Sequence, residues 1–268
     1  MIIALRSIKM KIGVYYKEKN LATANLIKEA AIKNGFELDD KNPDVVFSVG
    51  GDGTFLRTVH EYLDRLDKVL FIGINSGSLG FFYDFTKEDL SSIFESLKTK
   101  SFNVKEHALL KGVATYKNGK ENFYAVNEIR MENPFHTLIS KVSINGEELE
   151  TFRGNGLIVS STLGSSAYNK SLGGALIDHD IDALELTEVA GISNNVYRSL
   201  DSSLVIRGDK KISLTCEVNV AVVGYDHLSI HKDDELLEVE VNYSDKKIKI
   251  IYSEKHSYVQ KIRKSFVL

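Results

Sequence analysis

Three glycines and one aspartate form the run with the clearest chemical potential, Gly50-Gly51-Asp52-Gly53-Thr54. The β-branched and aromatic run 45–49 before it is typical of a strand, and the apolar spacing over 55–66 is typical of a helix. Glycines let the backbone bend sharply and leave the N–H groups at a helix start open to a phosphate chain. The pattern predicts a phosphate-binding turn beside Asp52. The simpler alternative is an ordinary turn in which Asp52 caps the helix.

A second turn of small residues, Asn75-Ser76-Gly77-Ser78-Leu79-Gly80-Phe81, follows another buried apolar run at 69–74. The carboxyl ends of parallel strands meet at one edge of a sheet, and ligands bind in the crevice there. We therefore expect the two glycine turns to lie side by side.

Residues 160–174 are rich in hydroxyl groups and glycines and poor in charge. Hydroxyls and free N–H groups can bind the edges of a base or a ribose, and Tyr168 offers a ring for stacking. The alternative is a polar surface loop.

Asn127 and Glu128 lie in the run 123–131, which alternates like one strand. An amide and a carboxylate suit an adenine edge and sugar hydroxyls, although such a pair is more often structural. Arg153 precedes a glycine turn and could bind a phosphate, or form a surface ion pair. His227 and His231 are about 13 Å apart on a strand, too far for one zinc ion, so we predict no metal site.

The periodicity of the chain changes near residue 100. Before it, strands and helices alternate; after it, short alternating runs predict strands, with a helix at 181–190 and a type I′ hairpin turn at Asn145-Gly146. We predict three parts: a Rossmann-like α/β domain over 1–100, a β-rich, sandwich-like domain over 101–252, and a C-terminal tail over 253–268 that packs back on the first domain.

The composition is that of a globular protein, with 43% hydrophobic residues and a net charge of −3 over 268 residues. No positive field favours nucleic acid or an anionic membrane. The one cysteine, Cys216, lies in the run 212–223, which reads as one strand, and we interpret it as a small buried residue. With no secretory segment and no apolar run of about 18 residues, we expect a cytoplasmic protein.

The order and spacing of these motifs resemble those of NAD kinases over essentially the whole chain. The first glycine motif is shared with diacylglycerol and sphingosine kinases; the turn at 75–81, Asn127-Glu128 and the segment 160–174 make the resemblance specific. It implies transfer of the γ-phosphoryl group of ATP, or of polyphosphate, to the 2′-hydroxyl of the adenosine ribose of NAD. Mg²⁺ would be carried with ATP.

The resemblance also implies roles for individual residues. Asp52 would orient or deprotonate the hydroxyl, and the phosphates would lie against Gly50, Gly51, Gly53 and Thr54. The NAD-binding residues would be Gly53, Leu56, Phe81, Asn127, Glu128, Arg153, Asn155, Ser166, Ala167, Tyr168, Ala190, Ile192, Tyr197 and His227. A neighbouring subunit would complete the nicotinamide pocket through Asn155, Ala190, Ile192 and Tyr197, which implies a homo-oligomer, usually a tetramer.

The sequence departs from the family pattern at three positions. Thr162 stands where the family commonly has proline, Leu163 where it has a hydroxyl residue, and Asn155 where aspartate is frequent. Two alternative functions remain at this point: a lipid kinase that shares the first glycine motif, and a sensor that binds NAD without catalysis.

Overall fold

The computed structural model of the chain describes residues 9–77, 80–217, 221–253 and 255–268. It divides into two compact units, one formed by Met1–His107 with Lys246–Leu268 and the other by Ala108–Asp245. No helix among the described residues is both long and apolar enough to cross a membrane.

The secondary structure alternates in the first part of the chain and is mainly β in the second. The strands are β1 (Lys11–Tyr16), β2 (Glu37–Leu38), β3 (Val45–Gly50), β4 (Leu70–Asn75), β5 (Asn103–Tyr116), β6 (Gly119–Ala125), β7 (Glu128–Glu132), β8 (Leu138–Ile144), β9 (Glu147–Gly154), β10 (Gly156–Ser161), β11 (Ala183–Val189), β12 (Leu204–Arg207), β13 (Ile212–Cys216), β14 (Val222–Tyr225), β15 (Leu228–Ile230) and β16 (Leu236–Tyr252). The helices are α1 (Leu21–Lys33), α2 (Asp52–Glu61), α3 (Leu90–Thr99), α4 (Tyr168–Ser171) and α5 (Tyr258–Phe266).

A parallel sheet forms the centre of the first unit. Its order is β2-β1-β3-β4, and the end of β16 pairs in parallel with β4. Every residue of β3 is buried, as expected for a strand covered by helices on both faces. The predicted α/β fold of this part of the chain is confirmed.

Helix α1 packs against the sheet of the first unit through one apolar face. Its buried residues, Ala24, Ile27 and Ala31, recur at helical spacing and join the core cluster formed with the sheet. Helix α3 follows a short 3₁₀ turn that opens with a capping box of Thr86 and Asp89.

The second unit contains antiparallel sheet. One group of strands is ordered β16-β13-β8-β9, with β5 and β6 as a hairpin beside β16; the other sheet is ordered β12-β11-β10-β7-β14-β15. Buried side chains from both sets, such as Val142 and Leu214 on one and Leu157 and Leu186 on the other, form a single core cluster. This arrangement confirms the predicted β-rich, sandwich-like domain.

The turn at Asn145-Gly146 joins β8 to β9, and both residues have positive φ, 51° and 85°. Two consecutive positive φ values are what a type I′ turn requires, so this hairpin prediction is confirmed.

Four local predictions are wrong. The helix expected at 181–190 is strand β11, because pairing with β10 and β12 overrides the helix preference of its Ala, Leu and Glu residues. The single strand expected over 212–223 is two strands, β13 and β14, which belong to different sheets. Likewise the run 123–131 is divided between β6 and β7. Cys216 is half-buried at the end of β13 rather than buried.

Candidate active site

Asp52 is the first residue of α2, directly after the turn that ends β3. Its carboxylate makes no cap for its own helix. Instead its two oxygens accept hydrogen bonds from the backbone N–H groups of Phe81 (3.1 Å) and Phe82 (3.2 Å). The structure therefore rejects the simpler alternative, in which Asp52 only caps α2.

The two glycine turns lie side by side, as predicted. Strands β3 and β4 pair in register so that Gly50 faces Asn75, and the N–H of Ser76 donates to the Gly50 carbonyl at 3.4 Å. Ser78 and Leu79 of the second turn lie outside the described residues. A Cβ at Gly80 would collide with the Asp52 carboxylate and would push it out of its position.

Gly51 and Gly53 flank Asp52 on the chain, and both are exposed. The space where a Cβ would stand is open at each of them, with no atom within 4 Å. A phosphate chain could therefore approach this backbone at the start of α2, where N–H groups point outward.

Buried hydroxyl groups hold this turn in place. Tyr83 donates to the Gly51 carbonyl at 3.0 Å and lies 3.1 Å from the Ser48 hydroxyl, which in turn lies 2.8 Å from the Thr58 hydroxyl. Burial raises the pKa of Tyr83 well above its ordinary value, so it stays a neutral donor. Tyr83 was not identified from the sequence, although its position just after the second glycine turn could have indicated it.

Burial is also the main influence on Asp52, and it raises the pKa of the carboxyl. The hydrogen bonds from Phe81 and Phe82 and the charge of Lys261 act in the opposite direction but do not cancel it. A carboxylate with a raised pKa is a better proton acceptor near neutral pH than an ordinary one.

Three further predicted residues lie in the first unit. Thr54 and Leu56 are buried on α2, and Phe81 is buried with its ring near those of Tyr258 and Phe266 on α5. Leu56 and Phe81 are therefore packed into this unit rather than displayed at its surface.

In the second unit, Asn127 and Glu128 lie where β6 ends and β7 begins. The strand is interrupted because the Asp226 carboxylate accepts the N–H groups of Val126 (2.8 Å) and Asn127 (2.7 Å). Asp226 has a positive φ of 46°, which aspartate tolerates in turns. Asp226 was not predicted, because only this long-range contact reveals its role.

Two buried oxygens at this interruption have no hydrogen-bond partner in the described part of the chain: Asn127 Oδ1 and Glu128 Oε2. The residues are 7% and 4% exposed. A buried polar atom without a partner costs about 1–3 kcal/mol, so these oxygens are suited to a ligand that donates hydrogen bonds. Burial, with the nearby charge of Asp226, raises the pKa of Glu128 to about 8.

Residues 160–165 and Asn169 of the segment 160–174 are buried, and the start of the segment packs against Asn127, which rejects the surface-loop alternative for this part. Ser161 donates its N–H to the Asn127 carbonyl (2.8 Å) and its hydroxyl to the Val126 carbonyl (2.6 Å). Gly164 lies so close that a Cβ there would collide with the backbone of Asn127.

Ser166, Ala167 and Tyr168 are half-buried and follow directly on the buried residues 160–165. The Tyr168 ring lies 5.5 Å from the Arg130 guanidinium, and its hydroxyl is 3.5 Å from the Glu132 carboxylate. Arg130 and Glu132 were not identified from the sequence. Their alternation on β7 places them on the same face as Glu128.

The departures from the family pattern at 162 and 163 are accommodated locally. The Thr162 N–H donates to the Tyr243 hydroxyl at 3.3 Å, and Tyr243 donates to the Ala183 carbonyl at 3.0 Å. A proline at 162 would lack that N–H. Leu163 is buried, 4% exposed, and fills a place where a hydroxyl would need a partner.

Arg153, Asn155, Ala190, Ile192 and Tyr197 are brought together in the second unit. The Arg153 guanidinium lies 4.4 Å from the Tyr197 ring, and the Arg153 carbonyl accepts the N–H of Ile192 at 2.7 Å. The N–H of Asn155 donates to Val189, the residue before Ala190, at 2.9 Å. Ile192 and Tyr197 are 38% and 40% exposed.

Arg153 and His227 were both predicted to bind NAD. Arg153 lies on β9 and His227 on the turn between β14 and β15, strands of different sheets. No group of three His, Cys, Asp or Glu side chains among the described residues could hold a metal ion.

Comparison with known protein families covers most of the chain. Residues 5–102 match the ATP-NAD kinase N-terminal domain, and residues 126–253 match the ATP-NAD kinase C-terminal domain. NAD kinase 1 of Bacillus cereus (strain ATCC 10987 / NRS 248) is 38% identical over 251 residues, 92% of this chain and 94% of that protein. NAD kinase of Geobacillus stearothermophilus is 35% identical over 250 residues, 92% of each chain.

Two solved structures share the fold. A yeast NADH kinase complexed with NADH superposes with a TM-score of 0.81 at 17% identity, covering 95% of this chain and 86% of that one. An NAD kinase from Archaeoglobus fulgidus in complex with ATP gives a TM-score of 0.77 at 22% identity, covering 95% and 99%. At these identities the likeness concerns the fold alone.

Proposed function

The chain belongs to the ATP-NAD kinase family, and we propose that Asp52 prepares the acceptor hydroxyl in its reaction. That reaction moves the γ-phosphoryl group of ATP to the 2′-hydroxyl of the adenosine ribose of NAD, and it yields NADP and ADP. The hydroxyl proton passes to Asp52 as the new P–O bond forms and the bond to ADP breaks.

The observation that carries this proposal is the fixed position of the Asp52 carboxylate beside an open backbone. Two N–H groups hold the carboxylate, while Gly51 and Gly53 leave space on either side. A secondary hydroxyl is a weak nucleophile near neutral pH, and a positioned base accelerates such a step about 10²–10⁴-fold.

The phosphate groups are proposed to lie against Gly50, Gly51, Gly53 and Thr54. This stretch opens α2, a helix of ten residues, whose first N–H groups have no partner within the helix. Together with the positive end of the helix dipole, they favour an anion there.

Mg²⁺ is proposed to arrive with ATP. Since the described residues offer no cluster of metal ligands, the triphosphate oxygens and water would supply its coordination. When bound, the ion would neutralise charge on the phosphates during transfer.

The adenosine half of NAD is proposed to bind at Asn127 and Glu128. Their unpartnered oxygens suit the exocyclic amine of adenine and the ribose hydroxyls, which are hydrogen-bond donors. The half-buried Ser166, Ala167 and Tyr168 are proposed to contact the adenine ring, with Tyr168 as the stacking surface.

We also propose that the protein works in the cytoplasm, where ATP and NAD are available. It is proposed to be a homotetramer, in which a second subunit contacts Asn155, Ala190, Ile192 and Tyr197. The support is the exposed apolar surface of Ile192 and Tyr197 beside the Arg153 side chain. Leu56, Phe81, Arg153 and His227 remain proposed NAD-binding residues.

The lipid-kinase alternative loses its basis, since both matched domains are those of ATP-NAD kinases. A coupled assay of NADP formation tests the rest, with ATP or polyphosphate as donor, with and without Mg²⁺, and with diacylglycerol as a competing acceptor. We expect NADP only with NAD, a donor and Mg²⁺. NAD binding in calorimetry with no NADP formed under any condition would favour the sensor alternative.

A further inference from the structure

Helix α5 is the last element of the chain, and it carries one buried charge. The helix begins with a capping box in which Ser257 accepts the N–H of Gln260 (3.3 Å) and Gln260 accepts the N–H of Ser257 (3.2 Å). Most of its side chains are exposed, but the Lys261 side chain is only 12% exposed. Removing an ammonium group from water is costly unless strong partners replace the water.

Lys261 has two such partners in the turn that follows β4. Its ammonium donates to the Phe81 carbonyl at 2.7 Å and lies 2.7 Å from the Asp84 carboxylate, itself 9% exposed. The other Asp84 oxygen accepts the N–H of Ser253 at 3.2 Å. This buried ion pair therefore joins α5 and the end of β16 to the turn.

The same turn holds Asp52. The carbonyl of Phe81 accepts from Lys261, while the N–H of Phe81 and that of Phe82 donate to the Asp52 carboxylate. The Phe81 ring is also fixed by α5, with its centroid 6.3 Å from that of Tyr258 and 5.8 Å from that of Phe266. The position of the two N–H donors thus depends on a contact made from the far end of the chain.

We propose that Lys261 is a positioning residue for Asp52, which it serves by fixing the Phe81–Phe82 backbone that holds the carboxylate. The inference rests on the proposed role of Asp52 as the base that accepts the proton of the ribose hydroxyl. It assigns α5 a part in catalysis although none of its residues need touch the substrate.

Lys261 also acts on Asp52 through its charge. Among the charged and titratable groups around Asp52 in the described structure, Lys261 on α5 lowers the pKa of the carboxyl, while Tyr83, on the turn after β4, is a neutral donor. Without the ammonium, burial acts with less opposition and the pKa of Asp52 rises further. The acidic limb of the rate profile, where Asp52 must lose its proton, then moves to higher pH.

The test compares Lys261→Met with Lys261→Arg, Lys261→Gln and the control Lys264→Met, an exposed lysine on the same helix. For Lys261→Met we expect kcat to fall about 10- to 100-fold, KM for NAD to stay within about threefold, and the acidic limb of kcat to rise by about half a pH unit. Lys261→Arg should keep most of the wild-type kcat, with the acidic limb close to its wild-type pH. Lys264→Met should behave as wild type.

The glutamine variant keeps a donor for the Phe81 carbonyl but lacks the charge. Its kcat should be higher than that of Lys261→Met, and the acidic limb of its kcat profile should still lie at higher pH than in wild type. This variant also tests the proposal if Lys261→Met fails to fold. A folded Lys261→Met or Lys261→Gln protein with kcat within twofold of wild type and an unmoved limb would overturn the inference. Asp52→Asn distinguishes a failure of this inference from a failure of the proposed role of Asp52. If Asp52→Asn is inactive while the Lys261 variants have normal kcat, only the role of Lys261 is refuted. If Asp52→Asn is active, the role of Asp52 is refuted.

Discussion

Burial controls the two carboxyl groups to which we assign chemistry. It raises the pKa of Asp52 on the first unit and that of Glu128 on the second. Asp52 is stabilised by two N–H donors, but Glu128 Oε2 has no partner in the described part of the chain. A buried carboxyl with an unpartnered oxygen binds a proton tightly in the free protein. The same oxygen can accept a hydrogen bond from a ligand.

Glu128 should therefore make the stability of the free protein depend on pH. Its pKa is about 8 in the folded protein against an ordinary 4.5, so the stability it contributes is complete below pH 4.5 and is lost as pH rises through 8. Glu128→Gln cannot ionise and should remove this loss. From pH 5 to pH 9, urea unfolding should show the variant gaining roughly 3–5 kcal/mol relative to wild type.

The matched control is Glu147→Gln, an exposed glutamate on the β8–β9 hairpin, which should follow the wild-type pH dependence. If Glu128→Gln and wild type lose stability in parallel between pH 5 and pH 9, Glu128 does not hold its proton as described.

At the scale of elements, the interruption between β6 and β7 is what creates the adenosine site. A continuous strand would satisfy its N–H groups in the sheet and would point Asn127 and Glu128 to opposite faces. The Asp226 carboxylate replaces two of those sheet hydrogen bonds at 2.7 and 2.8 Å. The turn between β14 and β15 thus shapes the chain at residues 126–128.

Asp226→Ala should leave two buried N–H groups without partners. We expect a loss of about 2–4 kcal/mol in the free energy of unfolding and at least a tenfold higher KM for NAD. Asp226→Asn keeps one accepting oxygen, so its free energy of unfolding and its KM for NAD should lie between those of wild type and Asp226→Ala. Urea unfolding and steady-state kinetics measure both effects, and an unchanged KM in a folded Asp226→Ala protein would contradict this account of the site.

The sequence predicts the elements that depend on local patterns. The turn from β3 into α2 follows from an apolar run that stops at glycines, and the Asn145-Gly146 hairpin follows from two residues that tolerate positive φ. It does not predict Asp226 or Lys261, because each acts on residues 99 or more positions away. Strand β11 was missed for a related reason, since only its pairing with β10 and β12 decides its structure.

At the scale of the whole molecule, the two units carry different sets of the proposed functional residues. The first contributes Asp52 and the open glycine backbone, and the second contributes Asn127, Glu128 and the half-buried residues 166–168. We assign the exposed Ile192 and Tyr197 no role within a single chain, and we therefore propose that a second copy of the protein covers them.

Ile192→Asp should weaken that assembly, because it places a charge where apolar surface is proposed to be buried. Light scattering after size-exclusion chromatography should give about four times the chain mass for wild type and a smaller mass for the variant. Ile32→Asp, at an exposed isoleucine on α1, is the control and should keep the wild-type mass. A monomeric wild-type protein at micromolar concentration would refute the proposed tetramer.

The most direct measurement is the turnover of Asp52→Asn at saturating NAD and ATP, with the NAD dissociation constant measured in parallel and the exposed Asp64→Asn as control. Asparagine keeps the shape of the side chain but cannot accept the hydroxyl proton. We predict that kcat falls at least about 100-fold while NAD affinity stays within about threefold of wild type. A kcat within a few-fold of wild type would contradict the central claim.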